Sequence, residues 1–171
     1  LPVERLIVAT NANDILHRAL STGDYSVGTV TATVAPSMDI QVSSNFERLL
    51  FDLHDRDGAA LAAAMQGFEA TRRMTLTDGQ RATAAALFSS ARIDEDEMAL
   101  AMRWANTRTG QVIDPHTAIG LAAARAASID GDVPVVTLAT AHPGKFRDAV
   151  ERATGIRPNL PPRLAGLFDR E

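Results

Sequence analysis

Four short runs gather the hydroxyl, amide, imidazole and guanidinium groups that could hold or transform a ligand. In Ala9-Thr10-Asn11-Ala12-Asn13-Asp14 the side chains suit a turn, and the apolar run Leu6-Ile7-Val8-Ala9 before them reads as a strand. Asn11 and Asn13 would therefore stand at a strand's carboxyl end, where open α/β sheets bind ligands. In Pro36-Ser37-Met38-Asp39-Ile40-Gln41-Val42-Ser43-Ser44-Asn45-Phe46-Glu47-Arg48, residues Ser43, Ser44 and Asn45 flank an expected helix start, and Arg48 follows Ser44 by one turn. Helix-start amides and a permanently charged donor fork suit a phosphate dianion, although capping alone accounts for Ser44 and Glu47. Ile113-Asp114-Pro115-His116-Thr117-Ala118-Ile119-Gly120 combines a cap, a proline at the first helical position and one surplus group, His116. A helix start favours the neutral imidazole that acid–base work needs. Finally, Leu138-Ala139-Thr140-Ala141-His142-Pro143-Gly144-Lys145-Phe146 places Thr140 at a strand end before a tight turn, with His142 and Lys145 either exposed turn residues or part of a site.

Other chemistry is excluded by what the spacing withholds. His17, His54, His116 and His142 form no close ligand pair, so no metal is expected. No Gly-x-Gly-x-x-Gly, Walker loop or Gly-x-Ser-x-Gly elbow occurs, and the absence of cysteine removes thiolate nucleophiles and disulfides. A phosphate-ester hydrolase built on His116 would need a metal or nucleophile that the spacing does not show. Lys145 is the sole lysine among 17 basic residues, which restricts any chemistry that needs a primary amine.

The elements that must carry these runs follow from periodicity and caps. Apolar positions three and four apart from Asp14 to Leu20 predict a helix stopped near Gly23, and Val30 to Val34 predicts a strand or extended segment. Ser44 and Glu47 have capping-box spacing ahead of a helix from Phe46. Three further helices are expected over Ala59 to Phe68, Arg81 to Phe88 and Met98 to Ala105, the last two behind the boxes Thr77/Gln80 and Asp94/Glu97. Thr117 to Ala127 continues a helix from Pro115, Val133 to Thr140 reads as the clearest buried strand, and Phe146 to Ala153 as a helix stopped by Gly155. Strands alternating with helices imply an α/β fold, a twisted sheet flanked by helices. About three strands make a thin sheet, which suggests that neighbouring strands come from sequence outside this chain.

A chain of 171 residues suffices for one domain with a sizeable core. Its net charge of −4 offers no footprint for nucleic acid, and no apolar run is long enough to cross a membrane. The opening Leu1-Pro2-Val3 shows neither an initiator methionine nor a signal peptide, and a cytoplasmic location is expected. Residues 1–157 are expected to form part of one large domain, with 158–171 a proline-rich tail or boundary segment.

The four runs, in this order, resemble motifs of threonine synthase: Val8 to Leu16, Pro36 to Leu50, Asp114 to Gly120, and Thr140 to Phe146. The resemblance covers nearly the whole chain but only the carboxyl-terminal portion of the family's polypeptide. It implies the tryptophan-synthase β-like fold of the fold-type II pyridoxal-phosphate enzymes, with this chain contributing part of the large domain. It further implies conversion of O-phospho-L-homoserine and water to L-threonine and phosphate, with pyridoxal 5′-phosphate as cofactor. Under that resemblance Thr140 meets the pyridine nitrogen of the cofactor, and Ser43, Ser44, Asn45 and Arg48 lie near the substrate phosphate. Asn11, Asn13, His116, His142 and Lys145 stand behind them. The family's Schiff-base lysine and glycine-rich phosphate loop normally precede the segment beginning at Leu1, so the isolated chain is expected to be inactive and to require the amino-terminal portion as partner. Gly144 departs from the family's usual alanine, and the stretch from Asp55 to Arg108 is compact. The alternative is a non-catalytic α/β binding or structural relative.

Overall fold

The computed structural model describes residues 2–167; Leu1 and the last four residues of the proline-rich tail, 168–171, lie outside the described residues. The chain forms two compact units, one from Leu1–Ala32 with Met38–Arg92 and the other from Thr33–Ser37 with Ile93–Glu171. The architecture is mixed α/β, with small sheets flanked by helices.

In the first unit β1 (Leu6–Thr10) pairs in parallel with β4 (Phe88–Arg92), Leu6 opposite Phe88 and Thr10 opposite Arg92. The short strands β2 (Asp24–Ser26) and β3 (Arg73–Thr75) pair antiparallel. Around them lie α1 (Ile15–Thr22), α2 (Phe46–Leu53), α3 (Gly58–Thr71) and α4 (Asp78–Ala85). The core is aromatic at its centre: the Tyr25 ring packs between Phe46 and Phe68, each centroid 4.9 Å away, with Ile15, Leu50, Leu53 and Leu76 closing around them. Burying each of these large side chains contributes about 2–3 kcal/mol.

In the second unit α5 (Glu95–Thr109) packs against α6 (Pro115–Ala126) and α7 (Arg147–Thr154). Ala101, Ala105, Ala118, Ala123 and Ala153 are buried in this layer, with Met102, Ile119 and Val150 filling the gaps between close helices.

Most expected caps form. Thr77 and Asp94 both close capping boxes, with amides of Gln80 and Glu97 at 3.2 and 2.8 Å, and Gly155 ends α7 in the left-handed region. Three expectations are overturned, and Val30 to Val34, expected as a strand or extended segment, forms no strand. No box joins Ser44 to Glu47: Asn45 holds the cap position in a helical conformation and makes no side-chain cap bond. The helix expected over Arg81 to Phe88 stops at Ala85, and Phe88 instead opens β4. Val30 to Val34 joins no strand, because side-chain amides occupy the adjoining backbone groups. The Asn13 carboxamide accepts from the Thr31 N–H and donates to the Thr31 carbonyl, both at 2.8 Å. Gln41 bridges Gly28 and Thr29 in the same manner, at 3.2 and 3.4 Å. Val133 to Thr140, expected as a buried strand, pairs with no strand among the described residues and is exposed along most of its length, Val136 at 80% and Leu138 at 74%.

Candidate functional site

At the carboxyl end of β1, Asn11 and Asn13 are buried and occupied by the fold. Both donate to Asp39 Oδ1, at 2.7 and 3.0 Å, and Asn11 Oδ1 accepts the Asn13 N–H at 2.9 Å. They tie the 28–41 loop to the strand end and give it a fixed path into the next turn. Alongside, Arg18 bridges Asp14 at 3.0 Å and Asp24. The Ser26 hydroxyl, followed by Arg18, holds the Asp24 carboxyl below the ordinary value of 3.8.

The turn before α2 brings Ser43, Ser44, Asn45 and Arg48 onto one helix start. Its amides are less available than the sequence suggests: Phe46, Glu47 and Arg48 N–H groups donate to the carbonyls of Ser43, Ser44 and Asn45 at 3.1, 3.4 and 3.2 Å. What remains for an anion is the set of side chains. Ser43 is half-buried, the other three are exposed, and none has a side-chain hydrogen bond among the described residues. Arg48 borders a shallow, open concavity of about 490 Å³ that Phe51, Leu61 and the Asp52–Arg56 pair also line. Tyr25, unmarked by any sequence motif, sets this turn: its phenol oxygen accepts the Ser43 N–H at 3.1 Å. Burial pushes that phenol above the ordinary value of 10.0.

The second unit assembles a different group. Asp114, 0% exposed, caps α6 by accepting the His116 N–H at 3.0 Å, and the same oxygen faces His116 Nδ1 at 2.9 Å. Its other oxygen takes the Thr117 hydroxyl. Thr117 Oγ1 in turn accepts the Thr140 N–H at 3.2 Å. The Ser37 N–H reaches His116 Nε2 at 3.2 Å, and since a backbone amide can only donate, the ring is neutral with its proton on Nδ1. Thr140 is exposed, and its own hydroxyl makes no hydrogen bond among the described residues.

His142 and Lys145 stand apart from this group. His142 Nδ1 accepts the Gly144 N–H at 3.0 Å and thereby caps the 3₁₀ turn Pro143–Lys145. Lys145 is exposed with Nζ 5.7 Å from the Phe146 ring centroid, and Phe146 lies 4.7 Å from the His116 ring. Gly144 is a close-approach position: a Cβ there would sit 2.8 Å from the Asn159 carbonyl oxygen. Among the described residues no group of three or more His, Cys, Asp or Glu side chains could hold a metal ion, and no helix is long and apolar enough to cross a membrane.

Comparison with known proteins finds threonine synthases. A family model described as threonine synthase, C-terminal, matches residues 117–171. A threonine synthase of Pseudomonas aeruginosa is 48% identical over 172 residues, covering 100% of this chain and 37% of that protein. The chain thus spans little more than a third of the curated relatives it matches. A crystal structure of pyridoxal-phosphate-bound threonine synthase from Brucella melitensis superposes with a TM-score of 0.93 at 46% identity, again over 100% of this chain and 37% of that one. Threonine synthase from yeast gives 0.90 at 32% identity, over 100% and 38%.

Proposed function

From a chain that matches the carboxyl-terminal portion of threonine synthases along its whole length, we propose that it belongs to a longer polypeptide converting O-phospho-L-homoserine and water to L-threonine and phosphate. The observation that carries this reading is the whole-length structural likeness at high identity. The cofactor is pyridoxal 5′-phosphate, which when bound supplies an electron sink for carbon acids. A cytoplasmic location accompanies this assignment, as does a split between residues 1–157, part of the large domain, and the 158–171 tail.

The residues present fit the cofactor at one point. Thr140 carries a hydroxyl without a partner among the described residues, on a backbone whose amide is anchored. A neutral hydroxyl there holds a pyridine nitrogen without requiring its protonation, as a carboxylate would. Ser43, Ser44, Asn45 and Arg48 supply side-chain donors for the substrate phosphate, Arg48 as a planar cationic fork. Asn11 and Asn13 fix the loop that leads to that turn, and His116 buttresses Thr140 from the interior through Asp114. His142 and Lys145 shape the turn that follows Thr140. Lys145 is assigned no covalent role, so the 171 residues alone have no turnover in this reading.

Arg48→Gln in the full-length polypeptide tests the phosphate assignment. Losing a charge-assisted contact should weaken O-phosphohomoserine and inorganic phosphate about ten- to a hundredfold by equilibrium titration, with cofactor occupancy unchanged. Equal phosphate affinities in parent and variant remove Arg48 from the site, and selective loss of the cofactor reassigns it.

A further inference from the structure

The run from Pro134 to Ala141 is exposed along most of its length and has no ladder partner among the described residues, yet one of its amides is held. The Thr140 N–H donates to Thr117 Oγ1 at 3.2 Å, and that is the one hydrogen bond found along residues 134–141 among the described residues. The direction of every bond behind it is fixed by chemistry. An ionised carboxylate only accepts, so the single Thr117 proton goes to Asp114; a backbone amide only donates, so Thr140 takes a lone pair of the same oxygen. Asp114 cannot turn away, because its other oxygen is fixed by the His116 N–H and by His116 Nδ1, and it is wholly buried. His116 is held in turn by the Ser37 N–H and by the Phe146 ring, tilted 56° to it with the centroids 4.7 Å apart. One further contact keeps the run against α6: Thr137 Cγ2 would lie 3.3 Å from a Cβ at Gly120, so the missing side chain leaves room for its approach.

We infer that Thr117 is a positioning residue for Thr140, with Asp114 as the anchor that aims the Thr117 hydroxyl. The backbone bond fixes the Cα of Thr140 and leaves its hydroxyl free to meet a ligand, so recognition and anchoring use different atoms of one residue. The ligand part of this inference rests on the pyridine-nitrogen role proposed above; the anchoring part does not. Because Asp114 is buried and carries three donors, it resists displacement more than an exposed cap would. The consequence is that α6, whose start is fixed by Asp114 and Pro115, sets the place of Thr140, which has no strand partner among the described residues.

The test uses the full-length polypeptide, first without and then with bound pyridoxal phosphate. Thr117→Val removes both the donor to Asp114 and the acceptor for Thr140, whereas Thr117→Ser keeps them. In the cofactor-free protein, amide exchange at Thr140 should speed up about tenfold or more in Thr117→Val and return in Thr117→Ser, with Ala123 in α6 unchanged in all three. The nitrogen-bound proton on His116 Nδ1 should remain visible by NMR in Thr117→Ser. With cofactor bound, the visible absorption band should move in Thr117→Val in the direction it moves in Thr140→Val, and be restored by Thr117→Ser. Thr140 exchange that is the same in Thr117→Val as in the parent, or lost equally in Thr117→Ser, overturns the inference. Exchange that responds as expected while Thr140→Val leaves the absorption band in place supports the anchoring and overturns the pyridine-nitrogen role instead. Should Thr117→Val not fold, Thr117→Ala serves: it removes the same donor and the same acceptor in a smaller side chain, and should speed Thr140 exchange with the Asp114 helix cap retained.

Discussion

Replacing Tyr25 by Phe separates the ring from the hydroxyl at the point where the core meets the turn before α2. The ring is 2% exposed and packs between Phe46 and Phe68, so Phe preserves the burial and the aromatic contacts. What is lost is the acceptor for the Ser43 N–H at 3.1 Å. Ser43 is half-buried, so water reaches its orphaned amide only in part, and the expected cost is about 1–2 kcal/mol. At about 2–4 °C per kcal/mol for a chain of this size, the midpoint should fall by about 2–8 °C. Urea unfolding followed by circular dichroism gives the free-energy difference directly. The pH dependence supplies a second reading. Because burial raises the folded phenol above 10.0, its stabilising contribution is complete below that ordinary value and is lost as the pH rises through the folded one. Phe has no such loss, so the advantage of Tyr over Phe should shrink at alkaline pH. Tyr25→Phe matching the parent to within about 0.3 kcal/mol at neutral pH, or a gap that stays constant into the alkaline range, would refute the reasoning.

Two further outcomes follow from other contacts. Gly144→Ala should lower stability by about 1–3 kcal/mol or push the Pro158–Asn159 segment outward, because the new Cβ meets a backbone carbonyl at 2.8 Å; an unchanged melting temperature with unchanged exchange at residues 158–160 would show that the tail yields freely. Asp24, held below 3.8 by Ser26 and Arg18, should stabilise the parent over Asp24→Asn above that value and lose the advantage as the pH falls through the lowered one, with a small size because the side chain is 44% exposed; urea midpoints that differ equally at about pH 5 and about pH 2 would contradict this.

What could be seen in the sequence was whatever local chemistry decides. Thr77/Gln80, Asp94/Glu97 and Asp114-Pro115 cap helices through side chains within a few residues of their targets, and all three form. Where the partner is distant, the pattern misleads. Phe88–Arg92 is a strand because β1 lies beside it, and its Ser89, Ser90 and Ala91 carry no β-branched signal. β2 and β3, three residues each, are too short to show alternation. Residues 28–31 find their partners in the carboxamides of Asn13 and Gln41, which no periodicity encodes. Of the candidate residues, His116 stands at the helix start that Asp114-Pro115 marks, while Thr140, expected at a strand end, ends no strand among the described residues. The Thr117 hydroxyl that joins them was hidden, since a threonine in a helix's first turn reads as ordinary composition, and Tyr25 stands 18 residues from the amide it holds.

The exposed run from Val133 to Thr140 also sets a race. Val135, Val136 and Leu138 offer an apolar ribbon whose backbone groups have no partner among the described residues, between the bonded amides of Val133 and Thr140 and with Pro134 lacking an N–H. Any strand that arrives first can zip onto it. A strand tethered in the same polypeptide presents itself at an effective concentration in the millimolar range, whereas a second copy in dilute solution is present at about a thousandth of that. In the longer polypeptide proposed above, covalent continuity would favour closing the ribbon from within over pairing with a second copy. Slow synthesis or crowded expression would tilt that contest before any ligand chemistry could begin.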